Sequence, residues 1–551
     1  MPLGTRGKLL SALKVPALIF KHSVSTASEY LTATFIFGEA SMRSYLLAIL
    51  LSSLFTVFAM AEHAMAEQTA SRPNVLLIFV DDLRTSLGCY GDPLVKSPNI
   101  DRLAATSRVF KRAYCHQAVC GPSRASILTG RLPDHTGVWH NRHTFRTTLP
   151  DLVTLPQLFK NNGYHAQGLG KIFSGDAREE DPLSWTIPTV LRASGWKNYA
   201  LPVNNQREGK GVSFEMADVP DDGYPDGKLA ELAIDTLQTW KVASQPFFLA
   251  VGFFKPHLPF NAPKKYWDWY DPEIFDLKAS RSRTHGAPAV AYPDHLELAG
   301  YKDMPKDERL SLEQARQMRH GYYACVSYID AQVGKVLDAL RRLELDTNTI
   351  VVLLGDHGYS LGEADHWCKD TNFELDTRVP LLIRSPGLQQ PGVATESLVE
   401  YVDLYPTLAA LAKLASPKEL DGQSIEPILK DPLAEVHEHV LSQFSRPFAA
   451  GNPEVMGYSI RTNQYRYTRW IDWNAKELQA EELYDYASDK SVDLEATFQI
   501  ERNNVIDVPE YAALREQLRL RLDELLKTRV KPVLLKVDSK KTKKIKKQEQ
   551  R

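Results

Sequence analysis

The 551-residue chain predicts an α/β fold: a large, mostly parallel sheet sandwiched by helices, with a smaller C-terminal antiparallel-sheet subdomain. Three observations predict it. Four apolar runs, beginning at Asn74, Tyr164, Pro246 and Thr349, each stop abruptly at polar residues. Helix-like stretches lie between them. Past residue 436 the pattern changes to the two-residue alternation of hairpin strands. Strands that are apolar throughout and alternate with helices need a sheet covered on both faces. Ligands in such sheets sit at the carboxyl ends of strands.

Residues 1–66 do not read as fold. Met42-Arg43-Ser44, an apolar run from Tyr45 to Met60 and Ala64-Met65-Ala66 have the layout of a secretory signal peptide. Met42 reads as the true start and residues 1–41 as an over-extended reading frame. The chain is then exported, to the periplasm or beyond the cell. A single-pass anchor is the alternative, but the run is short for a span.

From residue 73 to 435 the elements follow in order. Asn74 to Val80 is a continuous buried-strand signal ending in Asp81-Asp82. A helix starts at Ser97-Pro98 and runs through Phe110, with an N-cap and a proline in its first turn. Cys120 to Leu128 is a short helix closed by Thr129-Gly130. Thr154 to Lys160 is a helix leading to the strand Tyr164–Gly170, which ends in Lys171. Pro246 to Phe253 ends in Phe254-Lys255-Pro256-His257. Leu312 to Leu343 is a long amphipathic helix, and Thr349 to Leu354 ends in Gly355-Asp356-His357-Gly358. Residues 436–530 form the subdomain: strands Met456–Arg461, Tyr465–Trp470 and Glu482–Asp485, then a helix from Tyr511 to Val530. The Lys-rich tail, 531–551, reads as solvated and disordered.

Composition bounds the function. Hydrophobic residues make up 43% and charged residues 24%, with a formal net charge of −2. No basic field advertises nucleic acid, and no stable membrane span is expected in the mature chain. The five cysteines leave at least one unpaired thiol, and their spacing suggests no disulfide framework. Cys89, Cys115, Cys325 and Cys368 read as small buried residues.

The chemistry-bearing residues stand at strand ends. Asp81 and Asp82 are adjacent carboxylates whose repulsion a divalent cation would relieve. Asp356-His357 is a second such pair. Oxygen donors favour calcium or magnesium over zinc, with the His nitrogen then facing substrate. Cys120 stands at a helix N-terminus, where backbone N–H groups favour an anion, and Arg124 lies one turn on. On physics alone Cys120 is an activated thiolate, part of an anion-binding loop, or a buried Cys beside a structural Arg.

Cys120-Gly121-Pro122-Ser123-Arg124, followed by Leu128-Thr129-Gly130-Arg131, resembles the signature of type I sulfatases of the alkaline-phosphatase superfamily. The order relative to Asp81-Asp82 and Asp356-His357 fits as well. The segments Ser86 to Asp92, Gln117 to Cys120, Lys255-Pro256-His257, Asp356 to Glu363 and Met456 to Thr462 resemble the iduronate 2-sulfatase subfamily. The resemblance implies a mixed, mostly parallel sheet of alkaline-phosphatase type. It implies oxidation of Cys120 to formylglycine by a formylglycine-generating or equivalent maturation enzyme. The hydrate of that aldehyde attacks sulfur, and its second hydroxyl later expels sulfate. One Ca2+ is held by Asp81, Asp82, modified Cys120, Asp356 and His357. Arg124, Lys171, Lys255, His257 and Lys369 surround the sulfate or position the hydrate, with His257 or Lys369 as acid for the leaving oxygen. The implied substrate is a sulfated oligo- or polysaccharide, such as the glycosaminoglycans that carry 2-sulfated uronic acid.

One departure stands out. Iduronate 2-sulfatases carry a His three residues after the Lys matching Lys171; here Ser174 occupies that place and is no base at neutral pH. Either another residue assists the hydrate, with His165 and His366 as the candidates, or substrate handling has shifted. Competing readings are a sulfatase for another polysaccharide, algal for instance, a phosphonate or phosphodiester hydrolase of the superfamily, and a non-catalytic polysaccharide-binding protein.

Overall fold

The computed structural model describes Ser52 and residues 72–532, except 175–179, 191–194, 196–197, 205–210, 244, 276–281, 296, 307–308, 450, 487–500 and 531. The chain divides into two units, 1–71 and 72–551. The expected signal peptide, and the Lys-rich tail apart from Pro532, lie outside the described residues.

The main sheet has seven strands: β1 (Asn74–Val80), β2 (Arg108–Tyr114), β3 (His165–Gly170), β4 (Phe247–Phe253), β5 (Thr349–Gly355), β6 (Arg378–Arg384) and β7 (Ala394–Glu400). Their spatial order is β7-β2-β6-β5-β1-β4-β3. β6 runs antiparallel to both its neighbours, and the remaining pairs are parallel. All seven residues of β1 are buried, as a central strand covered on both faces requires. Leu76, Ile78 and Val80 share one apolar core with Tyr322, Ile329 and Val336 of the helix Leu312–Arg342. Val75, Leu77 and Phe79 share the opposite core with Ile127, Phe159 and Leu408. This two-residue alternation sorts the strand's side chains between two helical layers.

The four expected strands are all present, and β5, β1, β4 and β3 are neighbours. Their carboxyl ends, with Asp356, Asp81, Lys255 and Lys171 just beyond, therefore lie side by side. The helix expected to reach Phe110 stops at Ala104. The Thr106 and Ser107 hydroxyls donate back to the Leu103 carbonyl, which offers the chain an alternative to further helix, and Arg108 opens β2. Ser97 does not cap through its side chain; its hydroxyl accepts from the Gly88 N–H at 2.9 Å. Two other helices do start with full capping boxes, Thr154 with Gln157 and Ser311 with Gln314.

The C-terminal sheet is a four-stranded antiparallel meander: β8 (Val440–Arg446), β9 (Val455–Arg461), β10 (Tyr465–Asp472) and β11 (Leu478–Asp485). Leu518, Leu522 and Leu525 of the helix Ala512–Thr528 form the i, i+4, i+7 stripe that packs with Met456, Ile460 and Tyr467. Phe444, Trp470 and Tyr484 pack instead with Val119 and Phe373, beside the segments that carry Cys120 and Lys369. All five cysteines are unpaired; Cys89 is half-buried, and Cys115, Cys120, Cys325 and Cys368 are buried.

Candidate active site

Each strand end delivers one part of the site. After β1 the chain turns at Asp82 in the left-handed region, φ 59°, which Asp tolerates better than most residues. The turn sets the Asp82 N–H on Asp356 Oδ1 at 3.0 Å. Gly355, closing β5, permits this approach: a Cβ there would meet the Leu83 carbonyl oxygen at 2.2 Å. Cys120 opens the helix Cys120–Thr129, every residue of which is buried. That helix is fixed to both neighbours: Ser123 Oγ donates to the Asp356 carbonyl, and the Gly121 N–H donates to Asn141 Oδ1 at 2.7 Å.

All ten expected site residues are buried, Asp81, Asp82, Arg124, Asp356 and His357 completely. Arg124 bonds two carboxylates at once, Asp81 at 2.9 Å and Asp356 at 2.8 Å. Lys171 bonds the other Asp81 oxygen at 2.5 Å. Lys369 bonds both oxygens of Asp82, at 2.7 and 2.9 Å, and lies 3.8 Å from Cys120 Sγ. His357 Nε2 is 3.3 Å from Cys120 Sγ and 3.3 Å from Asp82 Oδ1. Its Nδ1 pairs with the Gly358 carbonyl at 2.8 Å; with the proton there, Nε2 turns a lone pair toward the cluster. The ligand atoms of Asp81, Asp82, Cys120 and His257 lie within 4.8 Å of one another, and so do those of Cys120, Asp356 and His357.

Lys255 is placed differently. Its ammonium donates to the carbonyls of His257 and Pro259 at 2.7 and 2.8 Å, so it braces the loop that presents His257. His257 Nδ1 pairs with the Leu258 carbonyl, and its Nε2 faces Glu297 at 3.8 Å.

Burial works against the charges of Asp81, Asp82 and His257. It raises Asp81, but Lys171 and Arg124 outweigh it and hold that carboxyl well below its ordinary range. Burial, with Asp81 and Glu297 beside it, pushes Asp82 up to about 6 despite Lys369. Burial and Asp81 push the Cys120 thiol well up, beyond what Lys171 and Lys369 offset. Burial thus works against the activated-thiolate reading of Cys120. Burial and Lys369 push His257 well down. The donor set fits a hard divalent cation: buried, mutually repelling carboxylates converge with one imidazole lone pair.

Neither expected substitute for the missing His reaches the cluster. His165 stands at the opposite end of β3 from Lys171, stacked on Trp240. His366 pairs with Asp376 at 3.0 Å. Ser174 itself is beside the Cys120 helix; a Cβ on Gly121 would meet its Oγ at 3.1 Å. Asn141 and Glu297 are the residues sequence reasoning missed. Both lie in irregular segments, where no periodicity marks a polar residue as special.

Residues 73–414 match the family profile described as Sulfatase, and residues 362–528 match the one described as N-sulphoglucosamine sulphohydrolase, C-terminal. The chain belongs to the sulfatase family. This sulfatase is 35% identical to the iduronate 2-sulfatase of Homo sapiens over 518 residues, 80% of this chain and 94% of that one. It is 29% identical to the ulvan-active sulfatase of Formosa agariphila over 467 residues, 83% of this chain and 81% of that one. Two solved structures share its fold. A phosphonate monoester hydrolase from Silicibacter pomeroyi superposes with TM-score 0.68 at 23% identity, covering 83% of this chain and 96% of that one. A protein in complex with its substrate D-glucosamine-2-N,6-O-disulfate superposes with TM-score 0.64 at 24% identity, covering 83% and 98%. The sulfatase is a sulfuric ester hydrolase, and among its described residues no helix is long and apolar enough to cross a membrane.

Proposed function

We propose that this sulfatase removes sulfate from a sulfated saccharide of the kind iduronate 2-sulfatases act on, using Cys120 oxidised to formylglycine by a maturation enzyme. One Ca2+ is held by Asp81, Asp82, the oxidised Cys120 side chain, Asp356 and His357. The observation that carries the reading is the convergence of three buried carboxylates, Cys120 Sγ and His357 Nε2 within a few ångströms at adjacent strand ends. When bound, the cation supplies Lewis-acid stabilisation of sulfate oxygens and of a hydroxyl as nucleophile. The maturation enzyme would oxidise the Cys120 side-chain carbon to an aldehyde with loss of the sulfur, and adding water to that aldehyde gives an oxygen nucleophile at the same helix start.

The chain's own residues do the rest. Arg124 and Lys171 hold Asp81 ionised and give the transferring sulfate positive surroundings. Lys369 spans Asp82 and the Cys120 side chain. His257, aimed at the cluster and braced through Lys255, is placed with Lys369 to hand a proton to the leaving sugar oxygen. Residues 73–435 form the catalytic domain in this reading and 436–530 a supporting subdomain, and the chain works after export.

Sulfate release over a panel of defined sulfated oligosaccharides tests the proposal. Turnover is expected on 2-sulfated uronic acids and is lost on chelation of the cation; failure on every saccharide, with aryl sulfate hydrolysed, would contradict it. Ser174 in place of a His beside the Cys120 helix and the likeness to an ulvan-active sulfatase favour a second reading, another sulfated polysaccharide such as an algal one, which the same panel distinguishes.

A further inference from the structure

A cavity of about 300 Å³ beside the cluster is bounded by Arg283, Tyr292, Glu297, Arg309, His366 and Trp367. Small-molecule sites run from roughly 300 to 1,000 Å³, so this one suits a compact ligand. Glu297 joins it to the cluster. Its Oε2 is 3.5 Å from Lys369 Nζ, and its Oε1 is 3.8 Å from His257 Nε2. Lys369 in turn reaches Asp82 and the Cys120 sulfur. A continuous polar path thus runs from the nucleophile's position into the cavity.

The two ends of this path offer different hydrogen-bonding partners. Arg124 and Lys171 crowd the Asp81 side, the side that holds sulfate in the reading above. Glu297 offers acceptor oxygens only, which can bond a hydroxyl but not a sulfate oxygen, so it suits the alcohol side of the ester. We infer that Glu297 is a specificity-determining residue that accepts a hydrogen bond from a hydroxyl of the sugar ring carrying the ester, with that ring seated in the cavity against Tyr292 and Trp367. The inference rests on the saccharide reading above and assigns its sugar side.

The cavity wall is built to keep its shape. Ala364, Asp365, Cys368 and Asp370 hold φ of 51°, 57°, 74° and 84°, a conformation that non-glycine residues keep only where the surroundings over-determine it. Here buried bonds hold it: His366 pairs with Asp376 at 3.0 Å, the Tyr359 hydroxyl donates to Cys368 Sγ at 3.2 Å, and Arg446 donates to the Asp370 carbonyl at 2.8 Å. The same short segment presents Trp367 to the cavity and Lys369 to Asp82.

The test compares the full chain with Glu297→Ala, Glu297→Gln and Trp367→Ala on two esters: 4-nitrophenyl sulfate, which has no ring hydroxyls, and a disaccharide bearing a 2-O-sulfated uronic acid. Losing a hydrogen bond to a charged group costs roughly tenfold to a hundredfold. Glu297→Ala should lower kcat/KM on the disaccharide by that factor beyond its effect on the aryl ester. Glu297→Gln, which keeps an acceptor oxygen, should lose less. Trp367→Ala should raise KM for the disaccharide alone, and it remains informative if Glu297→Ala does not fold. Equal losses on both esters, or none on either, would overturn the inference. A wild type that hydrolyses the aryl ester and no saccharide would sink the saccharide reading and this inference with it.

Discussion

Arg124 has no exposed surface, and neither have the two carboxylates it bonds, Asp81 and Asp356. Removing one partner of such an arrangement strands buried charge, which costs about 3–5 kcal/mol. Arg124→Ala should lose that much in urea unfolding as well as losing turnover; a loss below about 1 kcal/mol would show that Arg124 is not the electrostatic hub of the site. Cys120→Ala differs in kind. The thiol donates no strong bond, so stability should be nearly kept while sulfate release falls by at least about a thousandfold; retained activity would remove Cys120 from the reaction. These residues were legible in the sequence because they follow directly on apolar runs or open a helix with Pro and Arg. Glu297 was not, because its role depends on where an irregular loop comes to lie against Lys369. The Ser174 position shows the same limit: His165 and His366 were chemically apt substitutes, but strand direction puts His165 at the far end of β3 and Asp376 engages His366.

At the level of elements, the site depends on how closely β3 and β4 approach. Gly170 and Gly252 are register partners, and a Cβ on Gly252 would meet the Lys171 carbonyl at 1.9 Å. Gly252→Ala must push the two strand ends apart. It should cost about 1–3 kcal/mol and lower activity by displacing Lys171; an unchanged denaturation midpoint would contradict this. The apolar strands β1, β4 and β5 were readable because burial on both faces leaves an uninterrupted apolar run. β2, β6 and β7 were not. Arg108, Lys111 and Arg112 interrupt β2, Arg residues close both ends of β6, and β7 alternates exposed and buried residues at its start, so none carries the central-strand signal.

For the whole molecule, the C-terminal sheet is a brace for the Lys369 segment. Arg461 and Arg466 bond Glu374 at 3.1 and 2.7 Å, Asn372 donates to the Gly457 carbonyl, and Arg446 holds the Asp370 carbonyl. Farther out, Arg529 after the last helix pairs with Glu400 at the end of β7. Such buried pairs make stability acid-sensitive. Burial raises Glu363 and Glu400, but Arg84 and Arg529 respectively outweigh it and hold each at about 2, against an ordinary 4.5. Folded values below the unfolded ones give stability that is fully present above about pH 4.5 and lost as pH falls toward 2. Tm should therefore drop across that window, and a Tm unchanged between pH 5 and 2 would refute these linkages. The most direct test of the account concerns a single peptide. Mass spectrometry of the fragment containing Cys120, taken from fully active enzyme, should find an aldehyde that reacts with a hydrazine reagent; finding only the intact thiol at full activity would contradict the chemistry proposed for the site.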